Sequence, residues 1–70
     1  MKAISMNHQL RETRQHMRIS IEELSKRSGI SATHIRRIEN YESDPTLTTM
    51  QRIAWGLRLD VWEVFGIRRK

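Results

Sequence analysis

Residues 20–40 read SIEELSKRSGISATHIRRIEN, two short amphipathic stretches joined at a single glycine. Ser20 stands three residues before Glu23, the spacing at which a hydroxyl takes one orphan amide of a helix's first turn and the carboxylate takes another. That pairing predicts a helix over 21–28. Gly29 ends it, because glycine enters the left-handed conformation that a side chain resists, and the chain can then turn within about three or four residues. Ser31 is the next cap and predicts a second helix over 32–40. Two helices hinged in this way form a helix-turn-helix.

On the second helix a period of 3.6 residues sends Ile35 and Ile38 inward with His34 beside them. Ala32, Thr33, Arg36, Arg37 and Asn40 face outward. Small side chains come first and long cationic ones a turn later, which suits a helix entering a major groove by its N-terminal end. An arginine forked onto guanine contributes about 1 to 3 kcal/mol of discrimination, and Ala32 and the Thr33 methyl can meet a thymine methyl. Ala32, Thr33, Arg36 and Arg37 are therefore the candidate base readers. Arg11, Lys26 and Asn40, with the Ser20 and Ser31 hydroxyls and the helix N-terminal amides, are the candidate phosphate holders. The competing reading is an ordinary solvated helix face that happens to carry two arginines.

The flanking sequence extends the helical pattern in both directions. Residues 1–6 form a short lead-in, and Asn7 can cap a helix over 7–17 that carries Leu10, Arg14 and Met17 on one face. Tyr41 to Pro45 is loop chemistry, since proline restrains its predecessor and Ser and Asp favour turns. Thr46 or its neighbour caps a helix over 47–57, whose Leu47, Met50, Ile53, Ala54 and Leu57 recur at helical spacing. Asp60, with Glu63 three residues on and Gly66 beyond, brackets a last helix over 61–65. The tail 67–70 is basic and either adds phosphate contacts or frays in solvent. No strand pattern, repeat or linker interrupts the chain. The expectation is an all-α, five-helix single domain over 1–70 with its core in 7–66.

In this arrangement the chain resembles the phage repressor and Cro class of bacterial helix-turn-helix regulators, from Leu10 to Phe65. Leu10, Arg14, Ile19-Ser20, Leu24, Gly29, Ile30, Ser31, Ile35, Glu39-Asn40, Pro45, Leu47, Ala54, Leu57 and Leu59 carry the resemblance. It implies a lambda-repressor-like domain that binds double-stranded DNA at a palindromic operator as a dimer, in the role of a repressor. It also implies an ion pair between Arg14 of the first helix and Glu39 at the end of the recognition helix. Four departures bear on function. Ile21 stands where the family often has a phosphate- or base-binding glutamine, so anchoring there falls to backbone amides or Ser20. Ser25 replaces an alanine. Arg18 and Tyr41 replace helix-ending glycines, so either Asn40 turns left-handed or those helix ends differ in shape.

Composition is consistent with a polyanionic partner. Thirteen lysines and arginines against eight acids give the 70 residues a net charge of +5. A chain of this size buries only about 60% of its unfolded surface, and so depends on efficient helix packing or on a second subunit. Trp55 and Trp62 lie beside the expected core, where the resembling family has polar residues. With Arg58 and Phe65 they form a candidate dimer interface; the competing account has them covering the edge of a small core. Cysteine is absent, excluding disulfides and thiolate metal sites and pointing to a reducing cytoplasm. His8, His16 and His34 do not supply a converging metal set. No nucleophile motif, phosphate loop or carboxylate pair suggests an enzyme, a cofactor or a small-molecule ligand. The capped helices and Pro45 loop do not fit a membrane-surface peptide, and no signal or spanning segment is present. A second function class remains open: an antitoxin-like protein whose tryptophan surface binds a protein partner, with DNA binding secondary.

Overall fold

The computed structural model describes residues 8–66. Five helices follow one another: α1 (Leu10–His16), α2 (Ile21–Ser28), α3 (Ala32–Glu39), α4 (Leu47–Gly56) and α5 (Val61–Phe65). No strand occurs among the described residues. The middle of the chain follows its local signals closely. Ser20, Ser31 and Thr46 each accept the amide of the residue three positions on, at 3.0, 3.1 and 3.1 Å. Gly29, at φ 78°, closes α2 and donates its amide to Ser25 O. Only half of the Ser20 capping box forms, because Arg27 Nε, one turn on, takes the Glu23 carboxylate at 3.1 Å. In α5 the return bond is made, and Asp60 N donates to Glu63 Oε1 at 2.8 Å.

α1 departs from the sequence expectation. Asn7 lies outside the described residues, and the helix begins only at Leu10. His8 folds back instead of extending the helix: its Nδ1 accepts the Leu10 amide at 3.3 Å, while Gln9 N is drawn to Val64 O at 3.1 Å. Met17, expected on the inner face, is 39% exposed and serves as the C-cap. Leu47 is likewise 52% exposed, because the first turn of α4 projects beyond the core.

Three helix ends share one device. After α1, α3 and α4 the chain turns through Arg18 (φ 59°), Tyr41 (φ 59°) and Arg58 (φ 62°), all side-chain-bearing residues in the left-handed region. Each is bracketed by the two backbone bonds of a Schellman end, for α3 Glu42 N to Arg37 O at 2.8 Å and Tyr41 N to Ile38 O at 3.0 Å. The glycine substitutions thus leave the turn geometry intact. Asn40, at φ −92°, does not take the left-handed role.

The core consists of Leu10, Leu24, Ile35, Ile38, Ile53, Leu57 and Val64, each at most 1% exposed, with Ile19, Met50, Ala54 and Phe65 around them. α2 packs most extensively on α4. At Gly56 the two helices are in tight contact, and an added Cβ would stand 3.1 Å from Leu24 Cδ1 and 3.3 Å from Arg27 Cβ. This crossing fixes α2, and α3 is carried on α2 through the Gly29 turn, so the exposed side of α3 projects away from the core.

Candidate nucleic-acid interface

The base of α3 is held by charge. Arg14 Nε donates to Glu39 Oε2 at 2.6 Å and Nη2 to Oε1 at 3.0 Å, a forked contact between side chains that are 11% and 1% exposed. Arg14 Nη1 also donates to Ile19 O at 3.0 Å, so the guanidinium joins α1, the α1–α2 turn and the end of α3. The bond to Glu39 raises the Arg14 pKa above its ordinary value, against the opposing effect of burial. A second arginine completes the cluster: Arg11 Nε lies 3.4 Å from Glu39 Oε1 and Nη2 donates to Asn40 Oδ1. Since arginine only donates, this bond turns the amide oxygen of Asn40 inward and leaves its two N–H donors for another acceptor.

The open face of α3 carries Thr33, Arg36, Arg37 and Asn40 exposed and Ala32 half-buried. Ile35 and Ile38 are in the core and His34 is half-buried. The arginine side chains are 51% and 61% exposed, so the protein's own packing does not cover them. Each nevertheless meets a carboxylate. Arg36 Nη2 is 3.6 Å from Glu22 Oε2 on α2, and Arg37 Nε is 4.0 Å from Glu42 Oε1 just past α3. Sequence reasoning missed these partners because they depend on how α2 and the Schellman turn are placed, which no local spacing reveals.

The two helix N-termini at this face differ. Each serine oxygen already accepts an amide, leaving its hydroxyl proton free to donate, and the first amides of each helix have no intrahelical partner. The first turn of α2 contains Glu22 and Glu23, whereas that of α3 contains no acid. The α3 end is therefore the more favourable for an anion. Lys26 is exposed and forms no ion pair among the described residues.

Trp55 is 72% and Trp62 51% exposed, and Arg58 is exposed near Trp55, where the two line an open groove with Arg27 and Gly56. Phe65 does not join them. It is 4% exposed, because α5 turns that side chain inward against the His8 ring, whose centroid is 5.3 Å away. His8 stacks at 4.8 Å on Tyr41, whose hydroxyl donates to His8 O at 2.9 Å. This cluster, in which Tyr41 covers the buried His8 and Phe65 from the surface, also escaped sequence reasoning, since its members come from positions 8, 41 and 65. Among the described residues no group of histidines and acids could hold a metal, and no helix is long and apolar enough to cross a membrane.

An exposed, cationic second helix of a helix-turn-helix, capped by Ser31 and braced at its C-terminal end by Arg14 and Arg11, defines a DNA-binding module. The helix-turn-helix family model matches residues 10–60, and the chain belongs to that family, of the type to which the phage repressor and Cro regulators belong. It is a DNA-binding transcriptional regulator. The chain is similar to the crystal structure of the restriction-modification controller protein C.AhdI from Aeromonas hydrophila. The TM-score is 0.77 at 27% identity, over 80% of this chain and 85% of that one. No curated protein sequence matches.

Proposed function

We propose that the chain is a repressor that binds a palindromic operator as a homodimer, with α3 of each subunit in successive major grooves. One observation carries this reading. The face of α3 that begins at an acid-free N-terminus exposes Thr33, Arg36 and Arg37 in a row, on a helix whose other side is locked by Ile35, Ile38 and the buried Glu39. Ala32, Thr33, Arg36 and Arg37 read bases. Lys26, Arg11, Asn40 and the Ser20 and Ser31 hydroxyls hold phosphates and set register, a contribution that weakens steeply with salt. Asn40 presents amide donors because Arg11 occupies its oxygen.

A dimer reading two half-sites needs its recognition helices about 34 Å apart, one turn of duplex. Trp55, Arg58 and Trp62 form the joining surface, and Phe65, which belongs to the core against His8, takes no part in it. The protein acts by binding alone, without catalytic centre or cofactor, in the cytoplasm of a bacterial or mobile-element host. That the similar solved structure is a restriction-modification controller protein supports a regulatory role. Selection of bound duplexes from a random pool tests the reading: a palindromic consensus is expected, and recovery of unrelated sequences would overturn it. The exposed tryptophans also favour a second reading, an antitoxin-like protein whose principal partner is another protein. A toxin-like gene beside this one, together with no duplex preference, would replace the first reading with the second.

A further inference from the structure

The two arginines on the reading face are not free cations, and their partners are placed alike. Glu22 reaches Arg36 from the first turn of α2, and Glu42 reaches Arg37 from the residue after the α3 cap turn. Both glutamates stand on a fixed backbone. Glu22 is the second residue of α2, and Glu42 N donates to Arg37 O at 2.8 Å. Each contact engages one guanidinium nitrogen, Nη2 of Arg36 and Nε of Arg37. A guanidinium has five N–H donors, so a forked edge remains on each arginine for the contact that recognises guanine: Nη1 with Nη2 on Arg37, and on Arg36 the second N–H of Nη2 with its neighbour. From this geometry we infer that Glu22 and Glu42 are specificity-determining positioning residues, which steady Arg36 and Arg37 for base reading and keep them off phosphate. The inference rests on the DNA-reading role of α3 proposed above.

The reason lies in what each kind of complex demands. A guanine contact can form while the carboxylate stays in place, so the pair survives and restricts the arginine to useful rotamers. A phosphate contact pulls the guanidinium toward the backbone, which breaks the pair and leaves a carboxylate facing a phosphate. The carboxylate thus penalises sequence-independent binding more than sequence-specific binding. Without it, each arginine becomes an ordinary phosphate binder.

The test compares Glu22→Gln and Glu42→Gln with the native chain on two duplexes, the sequence selected from a random pool and a scrambled control, across a salt series. Both side chains are well exposed, at 71% and 59%, so the fold should be retained, and thermal melts verify it. Affinity for the scrambled duplex should rise about two- to five-fold, the range expected for an exposed ion pair, while affinity for the selected duplex changes by less. The scrambled salt slope should steepen by about one. In an Arg36→Ala background, Glu22→Gln should leave the ratio of the two affinities unchanged. Equal rises on both duplexes would overturn the inference, since that is the signature of a removed charge acting at a distance. Failure of the native chain to prefer the selected duplex would instead overturn the DNA-reading proposal itself.

Discussion

A buried histidine, three left-handed side chains and a row of exposed cations each carry a separate consequence. Arg18 holds φ 59° with an exposed side chain, so Arg18→Gly should relieve left-handed strain and stabilise the fold by about 0.5 to 1 kcal/mol. Tyr41 has the same φ, but its ring stacks on His8 and its hydroxyl binds His8 O, so Tyr41→Gly should destabilise. Urea denaturation of the two variants distinguishes strain from contact. On the reading face, Arg37→Ala should relax preference at one operator position while leaving the salt slope nearly intact. Lys26→Ala should weaken all duplexes alike and flatten the slope by about one. Identical effects from the two would contradict the assignment of one to bases and the other to phosphates; titration against point-substituted duplexes measures it.

Between elements, the forked Arg14–Glu39 pair joins α1 to the end of α3. Desolvation offsets much of its Coulomb attraction, so the pair orients more than it stabilises, yet removing one member strands a buried charge at a cost of about 3 to 5 kcal/mol. Arg14→Ala leaves Glu39 at 1% exposure with only the longer contact to Arg11, and should fall in that range. The double variant Arg14→Ala/Glu39→Ala should be less destabilised than the sum of the single losses, as a double-mutant cycle will show. Additive losses would mean that the two charges do not act as a pair. Arg11 extends the same joint to Asn40, so the C-terminal end of the recognition helix is braced against α1 at two adjacent residues.

Across the whole molecule, His8 couples stability to acidity. It is 7% exposed, and burial lowers its pKa below the ordinary value of 6.5, opposed in part by the Ile38 carbonyl and the Glu39 charge. The unfolded chain therefore takes up a proton on His8 before the folded chain does, and stability present above pH 6.5 is lost as the pH falls from there through the lowered folded value. Denaturation midpoints measured downward from neutral pH should decline more steeply for the native chain than for His8→Phe. The exposed tryptophans make a prediction at the same scale: if Trp55 and Trp62 join two subunits, their fluorescence should shift on dilution, and a constant spectrum would favour edge cover of the core. Most of the fold was legible because its signals are local. Ser20, Ser31, Thr46 and Gly29 act on amides within one turn of themselves, and Ile35 and Ile38 show which face of α3 is buried. The resemblance, not any spacing, pointed to Arg14 with Glu39. The late start of α1, the aromatic stack on His8, the inward turn of Phe65 and the carboxylates against Arg36 and Arg37 were not legible. What the sequence by itself determined is helices α2 to α5, their N-terminal caps and the face that α3 turns outward, because those depend on neighbours within one turn. What only the tertiary structure decided is which distant charges and rings meet, because those contacts are set by how α2 crosses α4 and how α1 is drawn against α3 and α5.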